Sequence, residues 1–145
     1  MKFLSILSLT ILLAITNNLH AQESTVNFSG YYEGRLKLVG KPIPIINKKG
    51  NIKLKCSASK FRDFQMFVEQ DIKNKVFVDS TDGILKGKAK KRTLKAKGKS
   101  VIGKIALVIK EDSKRTKRVI KTSYLRTLEK DVQCKYNYKS TFKLL

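Results

Sequence analysis

Between Ile84 and Lys121 a lysine or arginine stands at nearly every second position, with small or apolar residues between them. This segment holds fifteen basic residues against two acids, Glu111 and Asp112, a net +13 over thirty-eight positions. Side chains two apart lie on the same face of an extended strand, so this spacing gathers ammonium groups into rows. The chemistry of such rows is the simultaneous binding of many anionic groups, with release of their counterions. Lysine far outnumbers arginine here, and a compact ammonium suits diffuse attraction better than bidentate recognition of one phosphate. No aromatic residue lies between Ile84 and Val119. Stacking on single-stranded bases is therefore not expected, nor is any specific nucleic-acid recognition.

Catalytic chemistry has less to draw on. The one histidine, His20, falls in a stretch that reads as a secretory signal peptide: Lys2, the apolar run Phe3–Ile15, polar residues to His20, then Ala21. Thirteen apolar residues are too few to cross about 30 Å of hydrocarbon. The expectation is a cleaved peptide over residues 1–21 and a secreted or periplasmic basic domain over residues 22–145. Cleavage takes Lys2 and His20 with it, lowering the formal charge of +21 by one. No later run is apolar enough to be a transmembrane segment. Without histidine there is no Ser-His-Asp or Cys-His system and no imidazole base or ligand. The acid pairs Asp79/Asp82 and Glu129/Asp131 sit at turn-forming stretches rather than as a hydrolase's paired carboxylates. No glycine-rich phosphate loop or metal-binding spacing is present. A non-enzymatic protein without metal or cofactor is expected.

The elements that carry the lysines read as mainly β: a single antiparallel β-barrel or tight β-sandwich of about eight or nine strands, with one short α-helix at about 60–73. Residues 26–38 alternate, with Val26, Phe28, Tyr32, Leu36 and Leu38 on one side and Gly30 and Gly34 among them. Glycine on an inward side permits a bend or the close approach of another backbone. Ile43–Ile46 follows as an edge segment containing Pro44, then an Asn47–Gly50 turn and a strand over Asn51–Ala58. Phe61, Phe64, Phe67, Val68 and Ile72 are spaced by three, three, one and four, which predicts the helix, while Phe64, Met66 and Val68 also fit a strand. Val76–Val78 and the turn Asp79–Gly83 lead into the basic segment, with strands expected at 84–89, 92–97, 101–110 and 115–124. Breaks are expected at 90–91, 98–100 and 111–114. A last strand, Val132–Tyr138, turns Cys134, Tyr136 and Tyr138 inward.

Parity then sorts the basic segment into two faces. Lys86 and Lys88, Lys95 and Lys97, Lys104 and Lys110, and Lys117 and Lys121 fall outward on four successive strands, opposite Leu85, Leu94, Ile105, Leu107, Ile109 and Ile120. These eight lysines are the candidate anion-binding residues. Arg118 alone falls on the apolar side and requires a barrel mouth or an acid partner. Cys56 and Cys134, 78 positions apart, are expected to pair in an oxidising compartment. Such a bridge restrains the unfolded chain by roughly 4 kcal/mol on the loop-entropy view.

Three functions follow. The first is a binder of anionic polymers or surfaces: acidic polysaccharide, lipopolysaccharide or extracellular nucleic acid. The second rests on Phe28–Leu38, "FSGYYEGRLKL", which resembles the first strand of calycin-type barrels and implies a small apolar ligand carried inside. The third is an inhibitor or partner of an acidic extracellular protein, because like-charged partners repel.

Overall fold

The computed structural model describes residues 24–46, 56–100, 103–129 and 132–144. The expected signal peptide and the Asn47–Gly50 turn lie outside those residues. Nine strands are formed: β1 (Gly30–Leu38), β2 (Ile43–Ile46), β3 (Phe61–Gln70), β4 (Lys75–Ser80), β5 (Gly83–Lys90), β6 (Thr93–Ser100), β7 (Gly103–Glu111), β8 (Lys117–Glu129) and β9 (Val132–Lys143). From β3 onward each strand pairs antiparallel with the next, β1 pairs with β3, and β1 closes on β9 through Lys37↔Lys139 and Leu38↔Tyr138. Eight strands thus make a closed up-and-down barrel. Closure removes the unpaired edges at which strands aggregate. The ninth, β2, pairs with Val132–Lys135 on the same edge of β9 that β1 uses. Gly40, at φ 69°, turns the chain between β1 and β2 in a conformation that a side chain disfavours.

The barrel interior is lined by the residues that parity assigned inward. Phe28, Tyr32, Leu36, Met66, Val68, Val78, Leu85, Leu94, Leu107, Ile109, Ile120 and Tyr138 are all buried in one cluster. A gap of about 20 Å³ remains among Leu36, Phe64, Leu85 and Leu107, room for about one water molecule.

Residues 60–73 form no helix. Their place is taken by β3, in which Phe64, Met66 and Val68 are buried while Phe61 and Phe67 are half exposed and Ile72, beyond the strand, is 99% exposed. A helix there leaves β1 and β4 each with an unpaired backbone edge, and those donors and acceptors need partners. Side-chain fit points the same way. Gly34 pairs directly with Phe64, whose ring carbon lies 3.2 Å from where a Cβ on Gly34 would stand. The phenylalanine fills the gap the glycine opens, which only a strand at this register achieves.

Two smaller expectations also change. Residues 51–55 lie outside the described set, and Cys56–Ala58, expected to end a strand, has no regular structure. The chain does not break at Gly98–Ser100; β6 runs through Ser100. Gly87 explains how the basic strands coil tightly enough to close. A Cβ there would lie 1.8 Å from the carbonyl oxygen of Lys95, so β5 and β6 approach more closely than a side chain allows.

Candidate anion-binding face

All eight candidate lysines lie on the barrel exterior, and all are exposed. They are brought into direct opposition, which parity alone did not specify. Lys86 stands across from Lys97 and Lys88 across from Lys95. Lys88 also opposes Lys75 on β4, and Lys99 opposes Lys104. On β9, Lys139 faces Lys121 on one side and Lys37 of β1 on the other, and Lys143 faces Lys117. Directly opposed Cα atoms in an antiparallel pair are about 4.5–5.5 Å apart. Each such like-charge pair is destabilising by some tenths of a kcal/mol.

Among the described residues no carboxylate forms an ion pair with these lysines, although Glu69 and Asp71 line a groove with Lys75, Lys86 and Lys88, and Asp112 lies near Lys117. Between β5 and β9 the strand residues from Gly83 to Leu128 and from Val132 to Lys143 include one acid, Glu111, and it is buried. Exposed acids sit on the other side: Glu33 on β1, Asp63 and Glu69 on β3, Asp79 on β4. That side also exposes Tyr31, Phe67 and Phe77. Every ion pair among the described residues is made by arginine: Arg35–Asp63, Arg62–Asp82 and Arg118–Glu111. The lysines are left without carboxylate partners there. A depression of about 450 Å³ between β5, β6 and β7 is lined by Lys88, Lys90, Lys91, Thr93, Lys95 and Lys110.

Sequence parity missed Lys37, Lys75 and Lys139, which lie outside the basic segment. The signal was present for two of them. Lys135, Lys139 and Lys143 alternate with the inward Tyr136 and Tyr138, and Lys37 alternates with Leu36 and Leu38. What the sequence lacked was the register that sets Lys139 beside Lys121 and Lys37 beside Lys139.

The two barrel ends hold the remaining charged chemistry. At one, Arg118 has both an acid partner and a barrel mouth. Its guanidinium reaches Glu111 Oε1 at 3.1 Å, donates to the Tyr32 hydroxyl and to the Asn27 carbonyl, and lies 5.0 Å above the Phe28 ring. Tyr32 in turn donates to the Phe28 carbonyl at 2.7 Å. At the other end Arg62 pairs with Asp82, which also accepts the Tyr124 hydroxyl at 2.8 Å. Arg62 lies 4.6 Å over the Tyr124 ring. A recess of about 390 Å³ opens there, lined by Arg62, Arg126, Tyr124, Tyr136 and Tyr138. Burial pushes the Tyr124 phenol far above its ordinary range. Burial also raises Tyr32, more than the nearby Arg118 lowers it. Of the expected acid pairs, Asp79 faces solvent on β4 while Asp82 is spent on Arg62 and Tyr124; Glu129 and Asp131 offer no described side chain.

The disulfide Cys56–Cys134 is formed, with Cα atoms 5.8 Å apart. It ties the segment preceding β3 to the inward face of β9. Among the described residues no three acids, cysteines or histidines gather as a metal site, and no helix is long and apolar enough to cross a membrane.

Together these features define a class: a closed, eight-stranded, antiparallel up-and-down barrel with an apolar core and a lysine-rich outer wall. Protein-family models, curated proteins and solved structures give no match to the chain.

Proposed function

We propose that the protein is a secreted or periplasmic, non-enzymatic binding module whose lysine wall captures anionic polymers or surfaces. Acidic polysaccharide, lipopolysaccharide and extracellular nucleic acid are the chemistries it fits. The observation that carries the reading is the set of directly opposed lysine pairs on β5–β9 with no acid between them. A sheet that holds like charges in register gives up stability unless an anion relieves them. Solubility alone is met by mixed charges and asks for no register. The small gap in the middle of the core, about 20 Å³, favours binding on the outside over carriage of an apolar ligand deep within.

The test is binding of the folded protein to heparin, DNA and lipopolysaccharide across a salt series. It is repeated with Lys86, Lys88, Lys95 and Lys97 changed to glutamine. The reading expects affinity that falls steeply with salt and a variant that folds and binds more weakly. Capture of a stoichiometric acidic protein from culture fluid, with no polymer binding, is the result that favours the inhibitor reading instead.

A further inference from the structure

The opposed lysines are not scattered pairs. Followed from strand to strand through direct pairings, they form one row. Lys75 on β4 faces Lys88 on β5, and Lys88 faces Lys95 on β6. Lys95 faces Val108 on β7, which faces Lys121 on β8. Lys121 faces Lys139 on β9, and Lys139 faces Lys37 on β1. Seven of the eight barrel strands contribute to it, six of them with an exposed lysine. Neighbouring strands are about 4.8 Å apart, whereas alternate residues along a strand are about 6.7 Å apart. The row therefore spaces its charges more closely than any run of alternate residues along one strand does.

Its shape selects among anions. Barrel strands tilt about 35–45° from the axis, so a row perpendicular to them winds obliquely around the outside. A flat bilayer touches such a convex line over a short arc only. Duplex DNA, with a persistence length of about 50 nm, stays nearly straight over this distance and meets the same limit. Single-stranded nucleic acid can bend, yet its usual anchor is an aromatic platform, and the row offers none. A single flexible polysaccharide with one carboxylate or sulfate per sugar has both the curvature and the regular spacing. Lysine stems splay outward from a convex wall, so their tips stand further apart than their Cα atoms.

Building on the anion-binding reading, we infer that an acidic polysaccharide chain lies across the strands along Lys75, Lys88, Lys95, Lys121, Lys139 and Lys37. The other wall lysines, Lys86, Lys97, Lys104 and Lys110 among them, supply a general field without contacting the chain. Val108 marks the one place where the chain passes without a charge contact.

The test compares two variants of equal charge, each with four lysines changed to glutamine. One loses Lys88, Lys95, Lys121 and Lys139 from the row. The other loses Lys86, Lys97, Lys104 and Lys110 from outside it. Both are checked by thermal melting for a native fold, and the probe is a size series of alginate oligomers, which carry one carboxylate per sugar. With about 0.7 counterions released per contact, the wild type should show a log-log salt slope near −4; the row variant should lose about 3 of it, and the other variant should keep it. Wild-type affinity should rise with oligomer length and level off once the row is spanned. Equal losses in the two variants overturn the row while leaving the anion-binding reading intact. Duplex DNA binding more tightly than long alginate, with the same dependence on the row, overturns the choice of polymer. A wild type that binds none of alginate, heparin, DNA or lipopolysaccharide overturns the anion-binding reading and the row with it.

Discussion

Arg118 and Glu111 differ from the other ion pairs among the described residues. They are the most enclosed ion pair among the described residues, with side chains 13% and 4% exposed. Removing one partner of a buried pair leaves the other charge uncompensated, at a cost of about 3–5 kcal/mol. Arg118→Met should therefore lower the denaturant midpoint sharply. The double variant Glu111→Leu/Arg118→Met should recover much of the loss, since no buried charge is left over. Equal melting of the single and double variants would mean that Arg118 acts through its contacts with Tyr32 and Phe28 alone. The buried tyrosines set an alkaline limit. Tyr32, Tyr124 and Tyr138 all have phenols raised above 10.0, each chiefly by burial. They ionise later in the folded state than in the unfolded one, so folding favours the neutral form. That contribution is whole below pH 10 and is lost as pH rises through the folded-state values. Unfolding monitored against tyrosinate absorbance should show stability falling only above pH 10, with part of the absorbance change delayed until the barrel opens.

At the scale of the strand, the alternation of inward and outward residues was legible because parity is local. Tyr32 and Leu36, Leu85 and Ala89, Ile105 to Ile109 and Tyr136 to Tyr138 all face as their spacing indicates. The stretch holding Phe61, Phe64 and Phe67 was not legible, because both a helix and a strand accept it. Phe64, Met66 and Val68 satisfy period two; the three phenylalanines satisfy period three. The choice is made by the open edge of β4 together with Gly34 and the open edge of β1, the last two remote from it in sequence. Register was hidden for the same reason. It depends on turns and on closure, so Lys88 opposite both Lys75 and Lys95 could not be read from either segment alone. The strand pair β5–β6 offers a check on the cost of that register. Changing Lys86, Lys88, Lys95 and Lys97 to glutamine removes two opposed pairs within β5–β6 and should add some tenths of a kcal/mol of stability per pair, raising the thermal midpoint. A lowered midpoint would mean that the lysine stems pack on the wall more than their charges repel.

Across the whole molecule, charge is divided by strand. Among the described residues the wall of β5–β9 is basic, whereas the exposed acids lie on β1, β3 and β4 and in the β3–β4 turn. A closed barrel packed around an apolar core meets a partner chiefly with its surface and its two ends. Both ends are occupied by ion pairs that neutralise themselves, Arg118–Glu111 and Arg62–Asp82. The lysine wall is the large charged surface that makes no ion pair among the described residues. Its affinity for anions should come from many weak contacts rather than from one site, and salt dependence reports the number of those contacts directly. The decisive measurement is therefore the slope of log affinity against log salt for heparin, for the wild type beside the variant lacking Lys86, Lys88, Lys95 and Lys97. A steep negative slope that becomes shallower in the variant is the predicted result. A slope near zero, or one the four substitutions leave unchanged, contradicts the assignment of anion binding to this wall.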